Sequence, residues 1–465
     1  VNAARCFHNE PIKVCEEKTL QLINSLATTP ALAELFSDSS ILKAMLHFEA
    51  ALARVEASCN IIPQNAAEVI AAAANAEGFD IQAIIRDTQL SATPAVPLVK
   101  ALTGRVRAKN AEAAGFVHWG ATSQDVCDTA LVLLLKQAQT ILDSDLCRLQ
   151  KSLRRFAEEH AGTVMLGRTL LQAAGPTTLG LKAAGWFAAV HRGHQRLSAC
   201  FDDALILQFG GATGTLAALG NEGLAVGRTL ADELGLKYPE APWHAHRDRL
   251  AALLCACGVL AGSLAKMARD LVLMMQTEIG EAAEPAAQGR GGSSTMPQKQ
   301  NPVGCVETLA AATRTPALVS SFLSGMVQEH ERAAGGWQAE WPIVAEIIQA
   351  TGLAASAMAE VAEGLTINAA RMSANIDATH GTIFSERAMI LLARKIGRDK
   401  AKEIVEQAAR KSLEQKRRLS EVLRESPEAA QHLGDDDLQN LENPQEYLGV
   451  ADEFRKRLLQ LDGKE

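Results

Sequence analysis

The stretch Gly292-Ser293-Ser294-Thr295-Met296-Pro297-Gln298-Lys299-Gln300-Asn301-Pro302 brings hydroxyls, one ammonium and one amide into a single glycine-bounded loop, with a helix expected to start near Pro302. Helix N-terminal N–H groups and Lys299 together suit a carboxylate and any further charge that develops on it. An ordinary Gly/Ser loop ending in a helix cap explains the same residues equally well. In His118-Trp119-Gly120-Ala121-Thr122-Ser123-Gln124-Asp125, Thr122 and Ser123 are placed to cap a helix and to offer hydroxyls to an anion. His118 titrates near neutrality if unperturbed, and the plainer reading makes it a surface histidine beside a cap.

Three further clusters carry weaker signals. Arg168, Thr169 and Gln172 lie just before Pro176 and read as a polar connection. Trp243-His244-Ala245-His246-Arg247-Asp248-Arg249 fits either an anion pocket or an internal ion-pair network, and its histidines lack partners at zinc spacing, so no metal is expected. Gln328–Arg332 is read as the end of a helix, where His330 and Arg332 face the C-terminal dipole. Gly210-Gly211-Ala212-Thr213-Gly214 leads into no dinucleotide fingerprint, and neither a P-loop nor a Gly-x-Ser-x-Gly elbow occurs.

The elements that must hold these groups read as helices. Leu42, Met45, Leu46, Phe48 and Leu52 recur at helical spacing behind Ser37–Ser40. Further helices are expected over 125–160, from Pro176 to about 205, over 249–284, over 303–331 with a kink at Pro316, and over 342–363 with Pro342 in the first turn. Leu205–Gln208 is the one candidate strand. The loops 116–125, 285–302 and 334–338 interrupt the helices, and the second has the composition of a lid. Helices this apolar imply a bundle whose outer stripes meet other copies, with a large monomeric helical domain as the plainer alternative.

With 465 residues, 48% hydrophobic, 22% charged and a net charge of −8, the chain is neither disordered nor a basic nucleic-acid binder. Its nine cysteines are odd in number and scattered, which suits free thiols in a reducing compartment. No uninterrupted apolar stretch of membrane length is seen, and the charges in Val1–Leu20 do not suit a signal peptide. A cytoplasmic protein without membrane or nucleic-acid partners is expected.

The loop from Gly292 to Pro302 resembles the signature loop of the fumarase/aspartase superfamily. Phe36–Asp38, Phe48–Arg54, His118–Asp125, Gln208–Ala212, Trp243–Leu250, Met274–Glu278, Gln328–Arg332 and Tyr447–Gly449 resemble its 3-carboxy-cis,cis-muconate cycloisomerases. The resemblance implies an all-α fold in three domains, 1–125, 126–366 with the signature loop 288–302, and 367–465, built on a central long-helix bundle. It implies a homotetramer with active sites shared between chains and no metal or organic cofactor. The implied reaction, in the protocatechuate branch of aromatic degradation, adds a substrate carboxylate to a conjugated double bond and protonates the neighbouring carbon, giving a carboxymuconolactone. Ser293 takes the general acid/base role by this resemblance. Lys299 and Asn301 hold the substrate carboxylate, Thr122, Ser123, Thr169, Gln172 and Arg247 bind further groups, and His118 and His330 stand in second rank.

The departures divide: the missing histidine fits the cycloisomerases, while the others make the pocket less aromatic and less basic than theirs. Lyases of the superfamily carry Thr-His where this chain has Thr169-Leu170, and the cycloisomerases usually carry Trp there. Ala173 replaces a polar residue, and Gln298 and Gln300 stand where relatives commonly show His and Arg. A missing histidine argues against elimination of an amine from a succinyl compound, as in adenylosuccinate lyase, which is the second reading. A non-catalytic member of the superfamily is the third. Val1–Glu34 runs longer than the usual start of the family, and its first part is expected to be dispensable.

Overall fold

Ser37 accepts a hydrogen bond from the Ser40 N–H and starts α1, Asp38–Ser58, whose Leu42, Met45, Leu46, Phe48 and Leu52 are buried as their spacing predicts. The structure, a computed structural model, describes residues 22–285, 291–292, 295–296 and 298–463. Thr122 is the N-cap of α2, Ser123–Glu159, where its N–H donates to Asp125 Oδ2 at 3.0 Å. A hairpin follows, β1 Val164–Thr169 with β2 Gln172–Thr178, and then α3, Leu179–Ala204. α4, Asp248–Met274, leads to the two-residue β3, Ala282–Ala283. The signature segment connects to α5, Val303–Ser324, then α6, Gly336–Gly364, then β4, Thr366–Ile367, which pairs with β3, and α7, Ala369–Asp377.

α2 to α6 pack as an up-and-down bundle. The fold is all-α as expected, but several boundaries differ. Pro176 lies in β2, and α3 begins at Leu179 with the Thr178 hydroxyl accepting from Leu181 N–H. The helix expected to reach 284 ends at Met274, and the chain turns through Gly280, at φ 59°, into β3. α5 stops at Ser324, so 328–332 are not a helix end, and α6 starts six residues before Pro342 and runs through it. Of the expected strand at 205–208, only Ile206 forms a bridge, to Lys237. The helices α4 and α6 also correct the membrane reading: both are long and apolar enough to span one, α4 with mean hydropathy 1.9, yet over half of each apolar window is buried in the bundle.

A buried ion-pair network pins one end of the bundle. Arg247, 1% exposed, gives Nη1 and Nη2 to the Asp128 carboxylate at 2.7 and 3.1 Å, and Nε and Nη2 to Glu340 Oε2 at 2.9 and 2.7 Å. Trp337 Nε1 and Gln208 Nε2 also donate to Asp128, and Gln328 Nε2 donates to Glu340. Burial alone would raise the Asp128 pKa, but Arg247 and these donors outweigh it and hold the carboxyl below its ordinary range. Burial moves Glu340 the other way, and Arg247 offsets only part because the Asp128 charge opposes it. The Arg247 guanidinium, expected to bind substrate, is occupied here by Asp128 and Glu340. Of the two readings of the Trp243–Arg249 cluster, the ion-pair network is the one formed. With α2, α4 and α6 joined through one guanidinium, Arg247→Met leaves two buried carboxylates uncompensated and is expected to lower the unfolding free energy by about 3–5 kcal/mol. Urea unfolding at fixed protein concentration measures this.

Glu56, 1% exposed on α1, has neither carboxyl oxygen hydrogen-bonded. Burial first, and the nearby Glu49 charge second, push its pKa from its ordinary 4.5 to about 9. The folded chain thus keeps a proton that the unfolded chain releases. The resulting stability is complete below pH 4.5 and is lost as pH rises to about 9, by at most about 1.4 kcal/mol per pH unit. Glu56→Gln is expected to match the native protein near pH 4 and to exceed it in thermal midpoint at pH 8.

Candidate active site

Thirty-seven residues of α2 at about 1.5 Å each separate the two ends of the bundle by about 55 Å. The candidate residues divide between those ends. At the first stand His118, Thr122, Ser123, Arg247 and His330; at the second stand Thr169, Gln172, Lys299 and Asn301. Ser293, with Ser294 and Pro297, lies outside the described residues.

The first end is built around Asp125, which is fully buried. Its carboxylate accepts from the N–H groups of Thr122, Gly210 and Gly211 and, at 2.7 Å, from His244 Nε2. Gly211 has φ 68°, and a Cβ there would lie 2.9 Å from the Gly120 carbonyl, so the Gly210–Gly211 turn can close on the cap only without a side chain. Arg332 crosses the same turn, donating from Nη1 to Thr122 Oγ1 at 2.8 Å and from Nη2 to the Ala212 carbonyl at 2.9 Å. No carboxylate pairs with this guanidinium among the described residues. Its donation leaves the Thr122 hydroxyl proton directed elsewhere, and Ser123 stands half-buried beside it.

His118 is not the surface histidine of the plainer reading. At φ 60° its backbone turns the ring inward, where Nδ1 lies 2.7 Å from Glu49 Oε1. Burial opposes the charged ring, but the Glu49 charge and hydrogen bond, with Asp125 behind them, outweigh it and raise the His118 pKa. His330 is exposed at φ 50° in the turn after α5.

The second end has two parts. Thr169 and Gln172 are exposed on either side of a two-residue turn, Leu170–Leu171, with φ 50° and 64°. These are the dihedrals of a hairpin turn that usually carries Asn and Gly. The two leucines are 96% and 74% exposed, so an apolar tip is held in a costly conformation and left in solvent. The hairpin is anchored by Arg168, which forms a two-pronged pair with the buried Glu281 at 3.0 and 2.7 Å. Glu281 immediately precedes β3, and so the stem of the signature segment.

Gly292 and Gln300 form a bridge across that segment, and the Asn301 N–H donates to the Gly291 carbonyl at 2.8 Å. Gly291, at φ 70°, would put a Cβ 2.7 Å from the Asn301 carbonyl. Lys299 is exposed and Asn301 half-buried. The N-terminus of α5 is not open to a ligand as expected. Glu284 already accepts from the N–H groups of Gly304 and Cys305 at 3.0 and 2.9 Å.

Sequence reasoning missed Glu49, Asp125, Asp128, Glu281, Glu284 and Glu340, the carboxylates that position the rest, and gave Arg332 only a helix-end role. Acidic residues among Leu and Ala on a long helix, such as Asp125 and Asp128, were the available signal, since they stay charged in a core only with partners. Among the described residues no cluster of His, Cys, Asp or Glu has the arrangement of a metal site.

Known proteins match this architecture along nearly its whole length. A family model described as lyase matches residues 25–316, and one described as adenylosuccinate lyase C-terminus matches residues 381–458. A 3-carboxy-cis,cis-muconate cycloisomerase of Bradyrhizobium diazoefficiens is 47% identical, covering 94% of this chain and 98% of its own. One from Pseudomonas aeruginosa is also 47% identical, covering 94% and 96%. The crystal structure of the 3-carboxy-cis,cis-muconate lactonizing enzyme of Pseudomonas putida superposes with a TM-score of 0.89 at 43% identity, over 95% of this chain and 98% of that one. The chain belongs to the fumarase/aspartase superfamily of lyases, in the family of the 3-carboxy-cis,cis-muconate cycloisomerases.

Proposed function

We propose that the chain is a cytoplasmic cycloisomerase of aromatic-acid degradation that converts 3-carboxy-cis,cis-muconate to a carboxymuconolactone, acting as a homotetramer with active sites shared between chains. One observation carries the shared site: the two groups of candidate residues sit about 55 Å apart in a single chain, too far to meet on one small substrate. Chains packed with their bundles antiparallel bring the first end of one against the second end of another. The outer face of α4 supports this packing, since the small or apolar Ala252, Val259 and Gly262 are exposed there and Cys255 is half-buried. The leucine tip of the hairpin supports it too, because a second copy is the natural cover for an apolar turn. We keep the division into domains 1–125, 126–366 and 367–465 as part of this reading.

The chemistry suits such a site. A trianionic substrate needs cationic partners, and the two ends offer Thr122, Ser123 and the unpaired Arg332 on one side and Lys299 and Asn301 on the other. As a substrate carboxylate adds to the double bond, negative charge moves onto a conjugated carboxylate, where Lys299 and Asn301 stabilise it. Ser293 delivers a proton to the neighbouring carbon, with Lys299 lowering its pKa. One C–O bond forms, one proton is taken up and nothing leaves, so no proton donor for a departing nitrogen is needed. Leu170, where the superfamily lyases carry histidine, fits that requirement. Thr169, Gln172, His118 and His330 complete the set of contacts in this reading.

Purified protein mixed with 3-carboxy-cis,cis-muconate is expected to bleach the diene absorbance and to take up one proton per turnover. Ser293→Ala is expected to lower kcat by about 10²–10⁴-fold. Turnover of adenylosuccinate with no effect on the muconate would replace this reading by the elimination reading. Thr122→Val and Lys299→Met are each expected to be nearly inactive. Subunits of the two, unfolded together and reassembled at equal amounts, are expected to regain about a quarter of the native sites. No recovery on mixing would mean that both residues serve a site within one chain.

A further inference from the structure

The reading above leaves unused a cavity of about 490 Å³ between β2, the first turns of α3 and the last turns of α4. Thr177, Lys182, Gly185, Trp186, Ser263 and Lys266 line it. Trp186, only 4% exposed, closes the bottom of it and gives its Nε1 to Asp270 Oδ2 at 2.8 Å. Lys266 is ion-paired with the same carboxylate, so the Asp270 charge is already matched. Ser263 spends its proton on the Val259 carbonyl at 3.1 Å. Lys182 differs from its neighbours: among the described residues its ammonium has no hydrogen bond and no ion pair.

The surroundings of Lys182 make that isolation costly. Burial first, and then the charges of Lys266 and Arg168, lower its pKa, while Asp270 and Glu281 offset only part. Glu281 is committed to Arg168 and Asn375 and cannot turn toward the lysine. One uncompensated cation beside the apolar lining of Leu181, Gly185 and Ala189 is complementary to a single negative charge on an apolar body. We propose that this cavity is a binding site for a small organic monocarboxylate, its charge held by Lys182 and its apolar body lying against Leu181, Gly185 and Ala189, separate from the residues assigned to the muconate reaction. The cavity opens beside the outer face of α4, so in the assembled protein its ligand lies next to the contact between copies.

Benzoate is the probe, with benzamide as its uncharged counterpart of the same shape, and calorimetric titration of the intact assembled protein is the measurement. One benzoate per subunit is expected, with benzamide at least tenfold weaker. Lys182→Met is expected to weaken benzoate at least tenfold, and Lys182→Arg to retain it. Gly185→Leu fills the cavity from a position where an added Cβ meets nothing within 4 Å, so it tests the site even if the lysine variant folds poorly. Lys299→Met is expected to leave this binding unchanged, which separates the cavity from the proposed active site. The titration reads binding and not turnover, so it stands whether or not muconate is the substrate. Absence of benzoate binding in the native assembly, as when a neighbouring copy fills the cavity, overturns the proposal. Binding that survives both Lys182→Met and Gly185→Leu overturns it as well.

Discussion

The rise of an α-helix sets the terms for this molecule. An uninterrupted α2 makes the bundle about 55 Å long and holds the capping loop at Thr122 and the hairpin and signature segment at opposite ends. No side-chain motion spans that distance, and the packed core of α2 to α6 leaves no hinge along it. Under the proposed function, the site is assembled between chains. The apolar outer face of α4 and the solvent-exposed leucine turn, costly in an isolated chain, become assets once other copies lie against them.

Within one chain, buried carboxylates place the polar groups. Asp125 gathers the Thr122 cap, the Gly210–Gly211 turn and His244; Asp128 and Glu340 share Arg247; Glu281 fixes the hairpin through Arg168; Glu284 closes the start of α5. Each sits where a lone charge would be expensive, and each is repaid by several donors. The consequence for function is subtractive. Arg247 and the first N–H groups of α5 look like anion receptors in the sequence, and both, like Arg168, are occupied from within. Among the described residues Arg332 at one end and Lys182 near the other have no carboxylate partner, and there the chain keeps positive charge available to a ligand.

Local signals were legible where one segment decides its own structure. The apolar period of α1, the Ser37 and Thr122 caps and the length of α2 follow from spacing and end residues alone. The failures came where a distant partner decides. Val164–Thr178 reads as a polar connection because its ladder spends short-range propensity on glycine and proline, and the pairing that rescues it lies across the turn. The run after Met274 has helical composition, yet Glu281 to Ala283 are drawn into contact with Arg168, Asn375 and β4. Pro342 lies within α6, where its missing N–H costs one rung among many in a helix whose burial supplies most of its stability. At the site, Thr122 and Ser123 could be read from their capping role, whereas the occupation of Arg247 could not, since Asp128 and Glu340 are separated from it by about a hundred residues on either side.

The leucine turn joins these strands of argument. Two consecutive L-residues at positive φ persist only because the rungs from Val164 to Thr178 and the Arg168–Glu281 pair over-determine the turn between them. A polar tip would be content in water and could point in many directions. A rigid apolar one has a single favourable surrounding, a cleft that excludes water. In the proposed tetramer, where a neighbouring copy places it against a carboxylate-rich substrate, such a tip donates no proton and removes solvent, which strengthens every charge interaction around it. An elimination that must protonate a departing nitrogen gains nothing from it, but an intramolecular addition does, because its only proton goes to carbon and its nucleophile is already tethered.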